Sequence, residues 1–240
     1  MRNIDLNALA SGWREFVREW LGNPNTFEDL LSGIDLVLGS AERSVRREVL
    51  RVMYDLIDVG RELRRAAYDF FDQNPSTSIV GRLPYSAHVL KVYMAYACSL
   101  ARGFWGPRTT DRVDLQYLFF APFCQVFTSS DRFHRYFWPA VTSGSIFVWG
   151  PDLKRDLAKR AELRTSMTRE DWKRHRRSYG IHPVPIAGSV VSEVWDRQMG
   201  APRPFDPDRQ AKTIEDLPPH VREQIAKMTE AFRRARGEGQ

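Results

Sequence analysis

The sequence predicts a helix-dominated α/β protein: a small central sheet flanked by helices, an N-terminal helical region, and an extended C-terminal arm. Three observations predict it. Apolar residues recur at three- and four-residue spacing through most of the first hundred positions, the period of an α-helix. Two short runs near the middle, Cys124–Thr128 and Ser145–Trp149, are rich in β-branched and aromatic residues and read as buried strands. Residues 181–210 are rich in proline and glycine and read as an extended or partly disordered arm.

The first helix is expected over Asp5–Leu21, where Leu6, Leu9, Trp13, Phe16, Val17 and Trp20 share a face. Gly22-Asn23-Pro24-Asn25 ends it. Thr26 with Asp29 three residues on has the spacing of a capping box, and a second helix follows with Phe27, Leu30, Leu31, Ile34 and Leu38 inward. The longest helical pattern runs over 41–72, where Val49, Val52, Leu56, Val59, Leu63, Ala66 and Phe70 form a seam of alternating spacings. Such a seam suits homo-oligomerisation through a coiled coil. The alternative is a helix packed on its own domain, because Gly60 interrupts the seam and Val45, Leu50 and Ile57 widen it.

Pro84–Arg102 is apolar on nearly all sides and is expected at the centre of the core, with His88 as a hydrogen-bonded packing residue. A short helix is expected over Asp114–Ala121 and another from Asp152. Thr168 caps a short basic helix ending at Gly180, and Pro218-Pro219 open a last amphipathic helix with Val221, Ile225, Met228 and Phe232 on one face. These elements group into an N-terminal helical region (1–76), an α/β core (77–165) and a C-terminal region (166–240).

The chain has 240 residues, enough to bury a core without disulfide staples, and only two cysteines, Cys98 and Cys124, each in an apolar setting that suits a reduced thiol. No apolar run approaches the roughly 20 residues of a membrane span, and no apolar core of signal-peptide length follows Met1–Asp5. The expected location is cytoplasmic, with no membrane partner. A net charge of +6 permits anionic partners. No glycine-rich phosphate loop, HExxH or nucleophile elbow is present.

The chemistry-bearing stretch is Thr110-Asp111-Arg112-Val113-Asp114-Leu115-Gln116-Tyr117-Leu118, continuing to Phe127-Thr128-Ser129-Ser130-Asp131-Arg132-Phe133. An acidic residue at a helix start is followed by a strand with a second acidic residue just past its end. A helix antiparallel to the next strand begins at the sheet edge where that strand finishes. Asp114 and Asp131 are therefore expected at one edge, where open α/β sheets place ligands. Two convergent carboxylates suffice for Mg²⁺ or Mn²⁺ when waters and a phosphate supply the rest. The alternative is that each aspartate caps a helix.

Residues 110–157 resemble the C-terminal half of PIN-domain ribonucleases. The Thr128-Ser129-Ser130-Asp131-Arg132-Phe133 turn and the Ile146–Trp149 strand with its Gly150-Pro151-Asp152 continuation are similar to that family's pattern. The resemblance implies a parallel sheet, an RNA substrate, Asp114 and Asp131 as metal-coordinating catalytic carboxylates, and Ser129 or Ser130 as positioning groups. The family's opening strand, which ends in aspartate, has its nearest counterpart in Ile34–Leu38, inside a helical pattern. The further acidic residue has three candidates, Glu42, Glu48 and Glu62. An incomplete acidic set also fits a degenerate domain.

Lys154–Arg177 holds ten basic and four acidic residues, as large a net charge as the whole chain, with Trp172 and His175 interleaved and Tyr179 just beyond. Lys154, Arg155, Lys173, Arg174, Arg176 and Arg177 are the expected nucleic-acid contacts. Two functions follow: a PIN-like metal-dependent ribonuclease, or a non-catalytic helical module binding nucleic acid or protein.

Overall fold

The computed structural model describes residues 6–56, 59–108, 110–142, 144–201 and 219–235. Ile57, Pro218, the 202–210 part of the arm, and the side chains of Leu6, Leu9 and Phe232 lie outside the described residues. The chain divides into two compact units, 1–156 and 157–240.

In the first unit, α1 (Leu6–Trp20) and α2 (Phe27–Leu38) both pack on α6 (Pro84–Arg102). The expected capping box opens α2: Thr26 Oγ1 accepts from the Asp29 amide at 3.1 Å, and Asp29 Oδ2 accepts from the Thr26 amide at 3.2 Å. α6 begins with proline at its first turn and ends at Gly103, whose φ of 72° needs no Cβ. Leu90, Met94, Ala95, Tyr96, Ala97 and Cys98 on it are all buried, so it forms the centre of the core. Burial also pushes the Cys98 thiol well above its usual range. His88 Nε2 lies 2.8 Å from the Leu118 carbonyl, the packing role expected of it.

The continuous helix expected over 41–72 is not formed. The chain makes two helices, α3 (Arg43–Leu56) and α4 (Arg61–Gln73), folded back on each other. Asp72 near the end of α4 takes both Arg43, at 2.7 Å, and Arg47 near the start of α3. The Tyr54 and Tyr68 rings meet edge to face. Arg64 ties the start of α4 to the end of α3 by donating to the carbonyls of Val59 (2.6 Å) and Tyr54 (3.0 Å), the latter also accepting from the Val59 amide at 3.2 Å. The seam is thereby split: Val49 is buried, while Leu63 is 65% exposed.

A single turn, α5 (Ile79–Arg82), precedes α6, and α7 (Asp111–Phe119) with a 3-10 turn (Ala121–Phe123) follows it. Then comes a β–α–β unit: β1 (Val126–Ser129), α8 (Arg132–Val141) and β2 (Ile146–Trp149). The strands pair in parallel, Val126 opposite Ile146 and Ser129 opposite Trp149. Parallel neighbours need a crossover, and α8 is that crossover. It packs on the sheet through Trp138, whose ring stacks on Phe127 at 4.1 Å. Its other side joins the aromatic core, with Phe133 and Phe137 buried beside Tyr96. The fold is thus the helix-rich α/β arrangement with a small parallel sheet that the sequence predicts. Ile34–Leu38 lies wholly in α2, with Asp35 turned outward to Lys91, so it supplies no strand.

α9 (Gly150–Ser166) starts directly from β2. In the second unit, α10 (Arg169–Tyr179) is capped by Thr168, which accepts from the Asp171 amide at 3.1 Å. Within the stretch expected to be extended, residues 190–199 instead form α11 (Val190–Met199), capped by Ser189. The last helix is α12 (Pro219–Ala235). No described helix is long and apolar enough to cross a membrane.

Gly150 fixes how closely α9 approaches the end of β1. A Cβ there would lie 2.2 Å from Ser130 Oγ and 3.3 Å from the Ser130 amide nitrogen. Gly150→Ala is therefore expected to destabilise the protein by about 1–3 kcal/mol, and Ser130→Ala in the same chain to recover part of the loss. Urea unfolding of the unsubstituted protein and the two variants measures this; an unaffected single Gly150→Ala would refute the close approach.

Candidate functional site

The carboxyl end of β1 and the first turns of α7 and α8 carry the two aspartates that the sequence singled out, together with three ionisable groups that it did not. Asp131 stands between β1 and α8 as the N-cap of α8. Its Oδ1 accepts from the Phe133 amide at 2.7 Å. Its own amide donates to Ser129 Oγ at 3.0 Å. The capping role weighed against a metal role is therefore real for Asp131.

Asp114 does not cap. α7 begins at Asp111, three residues earlier than expected, which places Asp114 inside its first turn. Asp114 Oδ2 is buried and has no hydrogen-bond partner. Burial raises the Asp114 carboxyl above the usual range, and the negative charge of Asp131 adds to the effect. Asp131 is held below the usual range, chiefly by the Phe133 amide and then by Arg108. Two carboxylates of one edge are thus pushed apart in acidity by their surroundings.

His134 ties the two sides together. Its ring is buried, with Nε2 2.9 Å from the Asp114 carbonyl oxygen and Nδ1 2.9 Å from Ser129 Oγ. A carbonyl only accepts, so Nε2 carries the proton, and in the neutral ring Nδ1 accepts from the Ser129 hydroxyl. Ser129 in turn accepts from the Asp131 amide, so the positioning role expected of Ser129 or Ser130 falls to Ser129.

Asp111 is fully buried and holds four donors: the Trp105 indole (2.9 Å), the Arg108 amide (3.2 Å), Arg108 Nε (3.2 Å) and the Tyr96 hydroxyl (3.4 Å). Arg108 also reaches Asp131 Oδ1 at 3.3 Å and lies over the Trp105 ring, 5.1 Å from its centre. Asp111, Arg108 and His134 are the residues that sequence reasoning missed. A signal exists for Asp111: it lies one helical turn before Asp114 and directly follows a turn-rich loop carrying arginine.

Among the described residues, no group of three or more His, Cys, Asp or Glu side chains is arranged to hold a metal ion. Glu48 is paired with Arg51, and Glu42 with Ser44. The donors present do not fit a cage made of protein ligands. A hydrated Mg²⁺ or Mn²⁺ keeps several waters and takes one or two carboxylates, so Asp114 and Asp131 are the residues at this edge that could hold one.

The predicted nucleic-acid contacts are exposed. Lys154 and Arg155 lie on α9, where Arg155 pairs with Asp152. Lys173, Arg174, Arg176 and Arg177 lie on α10, where Lys173 pairs with Glu170 at 2.9 Å and Arg174 with Asp171 at 3.8 Å. No protein-family profile, no curated protein and no solved structure matches the chain.

The two aspartates carry opposite pH signatures. Asp131, with its folded pKa lowered, contributes stability that is present above its unfolded pKa, near pH 4, and lost as pH falls through the folded value. Asp114, with its folded pKa raised, disfavours the fold when ionised, and this penalty fades as pH falls. Asp131→Ala is expected to lose about 1 kcal/mol at pH 7, with a smaller deficit at pH 3. Asp114→Asn is expected to be neutral or stabilising at pH 7. Urea titrations at both pH values measure this, and an Asp131→Ala deficit that grows at pH 3 contradicts it.

Proposed function

We propose that the Asp114–Asp131 edge is the divalent-cation site of a PIN-like ribonuclease with a reduced acidic set. The observation that carries this reading is the pairing at one sheet edge of an unsatisfied, buried carboxylate oxygen on Asp114 with a second carboxylate on Asp131. A buried carboxylate beside a like charge is costly, and a cation is the simplest compensation. Asp114 and Asp131 would hold Mg²⁺ or Mn²⁺. When bound, such an ion supplies Lewis-acid polarisation and lowers the pKa of a coordinated water. Ser129 and His134 fix the backbone on both sides of the pair. Lys154, Arg155, Lys173, Arg174, Arg176 and Arg177 are the groups we assign to the RNA phosphates. The free thiols of Cys98 and Cys124 suit a reducing compartment, and we place the activity in the cytoplasm.

One observation favours the second reading, a non-catalytic module that binds nucleic acid. Arg108 already neutralises Asp131, so the edge has an internal cation. The two readings separate in one experiment. Purified protein incubated with a labelled single-stranded RNA is expected to cleave it with Mg²⁺ or Mn²⁺ and not with EDTA. Asp131→Asn and Asp114→Asn are each expected to reduce cleavage to background while retaining a native thermal transition. Cleavage that survives either substitution rejects the site; RNA binding without metal-dependent cleavage selects the module.

A further inference from the structure

The second unit contains a small apolar pocket that neither reading uses. It is about 200 Å³, below the roughly 300–1,000 Å³ of sites for drug-sized ligands, and so suits a single ring system. One wall is the Trp172 indole. The others are Leu163, Met167, Pro183 and Val184. Arg160 holds the Pro183–Val184 wall by donating to the Val184 carbonyl at 3.0 Å and to Ser192 Oγ at 2.8 Å. Arg164 lies over the Trp172 ring, 5.4 Å from its centre, and makes no ion pair among the described residues.

Trp172 belongs to α10, where Arg169, Lys173 and Arg176 recur at helical spacing beside it and are exposed. Arg169 and Arg176 make no ion pair among the described residues. An apolar pocket with an indole in its lining, an arginine over that ring and exposed cations on the same helix has the chemistry of a base-stacking platform. Single-strand binders combine those parts: aromatic faces for bases and cations for the backbone.

We propose that this pocket receives one unstacked base of single-stranded RNA, with the flanking phosphates on Arg169 and Arg176. The inference rests on the RNA part of the proposed function and is independent of the acidic edge, because stacking needs no metal.

The test is fluorescence anisotropy of a fluorescein-labelled 12-nucleotide oligoadenylate with the full chain in EDTA, so that cleavage plays no part. Trp172→Ala is expected to weaken binding about tenfold, and Trp172→Phe, which keeps an aromatic face, to restore most of it. Arg169→Gln with Arg176→Gln is expected to flatten the salt dependence of binding, since each lost phosphate contact removes about 0.7 from the slope of log affinity on log salt. Circular dichroism melts check that each variant folds. Equal affinity of wild type and Trp172→Ala overturns the proposal. So does displacement of the strand by adenosine monophosphate at concentrations matching the strand's own, which would make a free nucleotide the occupant. Absent metal-dependent cleavage with this pattern intact removes the nuclease reading and leaves the base pocket standing.

Discussion

The buried carboxylate of Asp111 is the constraint around which the first unit is organised. A charge with no solvent access is tolerable only when donors surround it. Tyr96 on α6, Trp105 in the following loop, and the amide and guanidinium of Arg108 meet that demand together. Satisfying one oxygen pair therefore locks the end of the central helix, the 103–108 loop and the start of α7 into a single arrangement. Trp105, held by Asp111, packs in turn against Phe133, Tyr136 and Phe137 of α8. Breaking such a pair by removing one partner is far more damaging than replacing both, because it strands the other charge.

Arg108 extends this arrangement to the sheet edge. Its guanidinium spans Asp111 and Asp131, so the groups that build the core also set the charge at the candidate site. Asp131 is shared between a structural duty, capping α8, and whatever chemistry the edge performs. Asp114 has no such duty. Its backbone carbonyl is taken by His134, its side-chain oxygen is left without a partner, and its acidity is weakened. An unsatisfied buried polar group of this kind is uncommon in folded proteins and carries a desolvation cost.

The two units use aromatic residues differently. In the first, rings interlock in the core and support the sheet edge from behind. In the second, Trp172, His175 and Tyr179 stack along α10 beside a row of cations. The first pattern builds a core; the second runs as a stack along one helix.

Features set by neighbours in the chain were legible from residue order. The capping box at Thr26, the bounds of the Pro84–Arg102 helix, the two strands and the capping role of Asp131 all follow from contacts within a few residues. Periodicity predicted less well where two structures share it. The 41–72 seam runs with the same spacing whether the helix is continuous or divided into α3 and α4, and contacts between distant residues, Arg64 with Tyr54 and Asp72 with Arg43 and Arg47, go with the division. The proline-rich arm hid α11 because composition marks breakers and says nothing of the ten residues between them. That Asp114 and Asp131 share an edge was derivable from helix and strand order. That Asp111 is the buried anchor, that Arg108 supplies the cation between the carboxylates, and that Glu42 and Glu48 are paired elsewhere were decided only by tertiary packing, because a carboxylate's charge environment is set by the groups the fold brings around it and not by its neighbours in the chain.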